Sequence, residues 1–151
     1  MKNRVLVIGD SIIDISVYVK CIGTSLETPT IKTKFIEEET HFGGTANVVN
    51  NILSLKHSVD FVTPVANDKY RGHFSGWLNE GLNITTLPYD GENSTKTRYW
   101  ISKGDNKYKY LQINSGSKFV LNKYHLDKIM KTKPEIYQAV VLVDYRNGLF
   151  E

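Results

Sequence analysis

Val5-Leu6-Val7-Ile8 is a short unbroken apolar run that stops at Gly9-Asp10. A strand with one wet face alternates apolar and polar side chains. An unbroken run this short needs apolar cover on both faces, which is the situation of parallel strands in α/β proteins. Val59-Asp60-Phe61-Val62-Thr63 and Ala139-Val140-Val141-Leu142-Val143 read the same way, and the second runs straight into Asp144. Ligands of open α/β sheets sit outside the carboxyl ends of the strands. Asp10 and Asp144 are therefore expected on one functional rim.

Helical periods fall between these runs. Residues 46–55 place Val48, Val49, Ile52 and Leu53 on one side. Residues 69–80 place Phe74, Trp77 and Leu78 together, with Gly81 as a stop. Asn122 is a suitable cap for a helix over 122–131 whose inward stripe is Leu126, Ile129 and Met130. Strands alternating with helices predict an α/β fold, a mostly parallel sheet flanked by helices. Two regions break the rhythm. Residues 30–37 alternate Ile31 and Phe35 with Lys32 and Lys34, a half-exposed strand. Residues 95–113 read as a hairpin turning at Lys103-Gly104-Asp105-Asn106. Together with 12–19 they predict a small sheet projecting from the α/β body, built from spans of about 12–40 and 94–114 within one domain of 151 residues.

Bulk properties exclude several classes. The chain is 40% apolar with a mean hydropathy of -0.32, values of an ordinary globular protein. Net charge is only +3, and no Lys/Arg run occurs, so a nucleic-acid partner is not expected. Cys21 is the only cysteine, which rules out an intrachain disulfide and makes a reducing cytoplasm the default location. The apolar run near the N-terminus is too short for a signal peptide or a membrane span. The Asn83-Ile84-Thr85 and Asn93-Ser94-Thr95 triplets read as chance matches to a glycosylation acceptor. The four histidines share no ligand spacing, so no metal site is expected.

The chemistry concentrates around His41-Phe42-Gly43-Gly44-Thr45-Ala46-Asn47 and Asn51. Gly43 and Gly44 let the backbone bend and approach a ligand with no Cβ in the way. The helix that follows aims free N–H groups and its positive dipole end at that bend. Asn47 and Asn51 lie one turn apart and can share a face. Such a shelf suits a hydroxylated or phosphorylated small molecule. Asp14 can accept from two neighbouring hydroxyls. Lys96 and Arg98 alternate on one face of the hairpin and can hold a phosphate, the lysine as a point charge and the arginine bidentately. The plain alternatives are a turn, a cap and a solvated strand face.

With those residues placed, the chain resembles the N-terminal half of a ribokinase/PfkB-type carbohydrate kinase over nearly its whole length. Gly9-Asp10-Ser11-Ile12-Ile13-Asp14 is similar to that family's first-strand motif, whose second aspartate binds sugar hydroxyls. Gly43-Gly44-Thr45-Ala46-Asn47 with Asn51 is similar to its paired-glycine signature, and Asn67-Asp68 with Gly72 to its next turn, with Ala66 where a glycine is usual. Within the family, Thr24-Ser25-Leu26-Glu27-Thr28-Pro29, Thr95-Lys96-Thr97-Arg98 and Asp144-Tyr145-Arg146-Asn147-Gly148 resemble segments of bacterial heptose 7-phosphate kinases, with Asn147 in place of a lysine. The resemblance implies a ribokinase-like fold with the projecting sheet as a lid over the sugar. It implies substrate contacts from Asp10, Asp14, Gly43, Gly44, Asn47, Asn51, Lys96 and Arg98, with Asp144 near nucleotide and metal. It implies ATP and Mg2+ for the full kinase, and pairing through the lid, through an open sheet edge, or with a complementing half.

The family's Gly-Ala-Gly-Asp motif, whose aspartate is the catalytic base, does not occur in these residues. The chain is therefore expected to hold the acceptor side of phosphoryl transfer and not the donor side. Two other classes compete with this reading. A non-catalytic module that binds a sugar phosphate or pairs with another chain would use the same residues. Gly9-Asp10-Ser11-Ile12 also looks like the nucleophile block of GDSL-type esterases, with Asn67-Asp68 as a weak echo of an oxyanion block. Their Asp-x-x-His pair is missing, which leaves Ser11 without an evident base.

Overall fold

The computed structural model describes residues 4–103 and 106–150. The strands are β1 (Arg4–Gly9), β2 (Ser11–Thr24), β3 (Ile31–Gly44), β4 (Ser58–Ala66), β5 (Leu82–Tyr89), β6 (Thr95–Lys103), β7 (Asn106–Ser115) and β8 (Ala139–Val143). The helices are α1 (Thr45–Ser54), α2 (Arg71–Gly76) and α3 (Lys123–Met130), with a 3-10 turn at Pro134–Ile136. They form two sheets. The first is all parallel, in the order β5-β4-β1-β8. The second runs β3-β2-β6-β7, with β2 and β6 parallel and both outer pairs antiparallel.

The unbroken apolar run of β1 is covered on both faces, as its composition requires. Val5 and Val7 point to one side with Val49, Val59 and Phe61, under α1. Leu6 and Ile8 point to the other with Val62, Leu87, Phe119 and Leu149, where Ile129 of α3 packs. The second sheet buries Ile13, Ile15, Val17 and Val19 against Val65 and Phe74. The alternate residues of β2 and β6, among them Asp14, Lys96 and Arg98, lie on its opposite face. At the amino ends of the parallel strands, Asp60 accepts hydrogen bonds from Arg4 Nη1 (2.8 Å), Asn83 Nδ2 (2.8 Å) and the Tyr137 hydroxyl (2.7 Å).

Several elements differ from the sequence expectation. β3 runs on through the glycine pair instead of ending near residue 37. β5 has no clear signature in the sequence, because Asn83, two threonines and Pro88 dilute its apolar pattern and an edge strand tolerates proline. Pro64 sits in β4 beyond the last residue paired with β1, so it interrupts no bond to that neighbour. α2 is much shorter than 69–80. Gly72 and Gly76 are poor helix formers, and Trp77 leaves the helix to stack on Phe42 (4.6 Å) and meet Phe61 edge-on (6.1 Å). Leu78 is thereby exposed. On α3 the capping by Asn122 is as expected, but the inward side differs: Leu126 and Met130 are exposed and His125 is buried. Its Nε2 hydrogen-bonds the Pro88 carbonyl at 2.7 Å, and Lys128 Nζ donates to Thr86 O at 3.2 Å. α3 thus docks on the polar backbone of β5 as well as on the core. β8 is an edge strand with Leu142 63% exposed, not a strand covered on both faces. The centre of the β6–β7 turn, Gly104-Asp105, lies outside the described residues.

Phe61 is fully buried between α1 and the parallel sheet. Phe61→Ala should destabilise the fold by about 3–5 kcal/mol. Denaturant unfolding measures this directly, and a loss below about 1 kcal/mol would show that the core is not packed as described.

Candidate functional site

One residue, Asp10, links the two sheets, and it is almost wholly buried. Its carbonyl accepts the Thr45 N–H at 3.0 Å, fixing the start of α1. Its carboxylate Oδ2 accepts the N–H groups of Tyr145 (3.1 Å) and Asn147 (3.4 Å), fixing the loop after β8. Asp10 and Asp144 do share the rim, but they present differently. Asp10 is turned to the backbone. Asp144 is exposed, and its Oδ1 accepts the Arg146 N–H at 2.7 Å.

Asp14 stands two pleats further along β2. Its Oδ1 accepts Arg98 Nη1 at 2.8 Å, with both side chains 26% exposed. Its other oxygen lies directly over Gly43 on the adjoining strand: a Cβ there would fall 2.0 Å from Asp14 Oδ2. The missing side chain is thus what gives the carboxylate its place. Gly44 takes φ +61° as it passes from β3 into α1, and a Cβ would come 2.8 Å from the Asp10 carbonyl. The pair ends a strand and starts a helix, as its position between the two predicts.

Lys96 is in register with Asp14 across β2–β6 and lines a cavity of about 160 Å³ with Ile12, Asn114, Tyr145 and Asn147 among its other walls. The structure therefore brings Asp14, Gly43, Arg98 and Lys96 together, one carboxylate against two cations. Of these four residues only Lys96 lines the cavity, where its charge favours an anion over a neutral ligand. Asn47 and Asn51 are both exposed on α1, and neither side chain makes a hydrogen bond among the described residues. Asn114 gave no sequence signal, being one polar residue in a polar strand. It is placed by its register with Lys96.

No three His, Cys, Asp or Glu side chains among the described residues converge to hold a metal ion. Ser11 Oγ accepts the Thr63 hydroxyl at 3.0 Å, and no histidine among the described residues bonds to it. The relay that an esterase needs is not formed. Among the described residues no helix is long and apolar enough to cross a membrane.

The fold is a parallel α/β body carrying a four-stranded side sheet. The pattern described as pfkB family carbohydrate kinase matches residues 2–143, and the chain belongs to that family. It is 31% identical over 152 residues to "Bifunctional protein HldE" of Helicobacter pylori, covering 99% of this chain and 33% of that protein. The protein of the same name from Aliarcobacter butzleri is 27% identical over 151 residues, covering 98% and 32%. The chain thus spans about a third of the length of these relatives. Phosphofructokinase-2 from Escherichia coli, solved with fructose-6-phosphate, superposes with a TM-score of 0.64 at 14% identity, covering 95% of this chain and 45% of that one. Ribokinase from Thermotoga maritima gives 0.54 at 22% identity over 74% of this chain and 36% of that one.

Two outcomes follow from the geometry. Gly43→Ala should displace Asp14 from Arg98 while leaving the body folded. Its crystal structure would show the pair broken, and an Asp14–Arg98 distance still near 2.8 Å would contradict this. Burial, with the Asp68 and Asp10 charges as smaller causes, pushes the Tyr89 phenol from 10.0 up to about 12. The folded state therefore holds this proton more tightly than the unfolded chain. The stabilisation is complete below pH 10 and is lost as pH rises towards 12. Tyr137 shifts in the same direction. The comparison is therefore wild type against Tyr89→Phe in denaturant midpoints between pH 9 and 12, where the variant should lose less stability. Identical slopes would contradict it.

Proposed function

We propose that this chain carries the acceptor side of a sugar-phosphate kinase, with a heptose phosphate as the preferred substrate class. The observation that carries the reading is the Asp14–Arg98 pair seated over Gly43 with Lys96 beside it. Asp14 is the hydroxyl acceptor. Lys96 and Arg98 hold the substrate phosphate. Gly43 and Gly44 give close backbone approach at the start of α1, with Asn47 and Asn51 as amide contacts and Asp10 as the organiser of the rim. Asp144 stands towards the nucleotide. The side sheet, over 12–40 and 94–114, acts as the lid. The heptose preference rests on the three segments that resemble heptose 7-phosphate kinases. The Escherichia coli neighbour, which holds fructose-6-phosphate, supports a phosphosugar in this fold.

The family uses ATP and Mg2+, and the base and donor site belong to the Gly-Ala-Gly-Asp region, which these residues do not include. The 151 residues alone should bind sugar phosphate and fail to turn over ATP. Catalysis requires a complementing half. The open edge of β8 suits such a half, and the exposed Phe35, Leu111 and Ile113 of the lid suit a second copy. A cytoplasmic location accords with the exposed free Cys21.

Calorimetry with a heptose 7-phosphate, fructose 6-phosphate and the free sugars tests the reading. Arg98→Ala should weaken the phosphorylated sugars by about 10- to 100-fold and spare the free ones. Asp14→Ala should weaken both. Equal affinity of wild type for free and phosphorylated sugars would contradict the assignment, as would ATP turnover by this chain alone. Light scattering should show an oligomer, and a monomer at high concentration would remove the lid and edge as pairing surfaces.

A further inference from the structure

We propose that Asp68 and Asn93 are positioning residues that fix the angle of the lid over the rim, and with it the placement of Lys96 and Arg98. The mechanical part of this stands on geometry alone. Its consequence for ligand binding rests on the sugar-phosphate reading above.

Asn93 lies between β5 and β6 and is 5% exposed. Its side-chain amide pairs with the last residue of β4 as a peptide unit would. Oδ1 accepts the Ala66 N–H at 3.0 Å, and Nδ2 donates to the Ala66 carbonyl at 3.3 Å. The second Nδ2 proton goes to Asp68 Oδ1 at 2.7 Å, and the Asn93 backbone N–H goes to Asp68 Oδ2 at 2.7 Å. Asp68 Oδ1 also accepts the Tyr70 N–H at 2.8 Å, which ties the same carboxylate to the residue before α2. Both carboxylate oxygens and every polar atom of the Asn93 amide are used. Charge-assisted bonds of this kind are the strong ones, and removing one partner strands the other. The Asn93-Ser94-Thr95 triplet thus has a structural role, and its asparagine is fully engaged.

The clamp sits where it controls the hairpin. The Ser94 carbonyl accepts the Ile13 N–H at 2.8 Å, and β6 starts at the next residue. The returning connector is tied to the same root: Ser117 N donates to Glu92 O at 3.0 Å, and Glu92 N to Ser117 Oγ at 3.2 Å. The β2 side of the lid is held by apolar contact with Val65 and Phe74. The outer half of β6 packs Tyr99 and Ile101 on the same cluster, whereas its first residues, Thr95 and Thr97, have no place in it. A cavity of about 370 Å³, lined by Asp68, Tyr70, Asn93, Thr95, Thr97 and Ser115, lies behind its root. Thr95 and Thr97 alternate with Lys96 and Arg98, so this space is on the face away from Asp14. The root of the hairpin has room to shift into it, and there the Asp68–Asn93 clamp adds to the β2–β6 ladder in fixing its angle.

One label is carried by the hairpin itself, introduced by Lys109→Cys on exposed β7, with the exposed Cys21 of β2 replaced through Cys21→Ser. A second is introduced by Ser54→Cys at the end of α1. Nitroxide distance distributions on the full chain should be single and narrow. In Asn93→Ala the distribution should broaden or shift, while amide exchange in β1 and β4 stays within about twofold of the parent, as expected where a local contact and not the body is lost. Affinity for fructose 6-phosphate should fall about tenfold in the same variant. An unchanged distance distribution overturns the proposal whatever the ligand does. A changed distribution in a chain that binds no sugar phosphate even as wild type upholds the clamp and removes the sugar reading. If Asn93→Ala fails to fold, the milder Asp68→Asn decides. Loss of body and lid together in both variants would make the pair a general fold element and overturn the proposal.

Discussion

Everything functional in this chain depends on how little backbone separates its two sheets. β1 leaves the parallel body at Gly9, and β2 enters the lid at Ser11, with Asp10 alone between them. A single buried residue cannot act as a flexible linker. Its carbonyl anchors the start of α1, and its carboxylate anchors the loop after β8, so three chain segments meet at one residue. The ends of a parallel sheet are where ligands of such folds collect. Here that rim is roofed at once by the strand that carries Asp14.

The site is electrostatically arranged before any ligand arrives. Arg98 occupies one oxygen of Asp14, and the glycine backbone lies beneath the other. A part-exposed ion pair contributes little to stability. It does hold the Arg98 guanidinium beside Asp14, and with Lys96 in register on the same face the local balance is positive. Lys96 and Arg98 both lie on β6, whose first residue follows directly on the Asn93-Ser94 root that Asp68 holds.

Legibility in the sequence followed the strength of the local signal. The unbroken apolar runs revealed β1, β4 and β8, and the paired glycines revealed the strand-to-helix bend. Alternation revealed the hairpin of the lid. What escaped was set by tertiary contact. Trp77 left its helix to stack on Phe42, a residue 35 positions away in sequence, and no local pattern encodes that. α3 turns His125 inward because the Pro88 carbonyl offers it a partner, against the apolar stripe of Leu126 and Met130. β5 needed its neighbour β4 to be recognisable as a strand. At the site, the chemistry of Asp14, Lys96 and Arg98 is legible in the sequence, but only the register of β2 with β6 shows that they share a face. In sequence Asn93 reads as part of a chance glycosylation triplet, because one asparagine in a turn carries no sign of the four hydrogen bonds it makes.

The most direct test of the account is a backbone NMR titration of the 151-residue chain with a sugar phosphate. The account predicts that the largest shifts fall on Gly43, Gly44, Asp14, Lys96 and Arg98, with β5 and the amino ends of the parallel strands unmoved. Perturbations confined to the rim between Asn67 and His125, or spread over surface lysines with Gly43 silent, would contradict it.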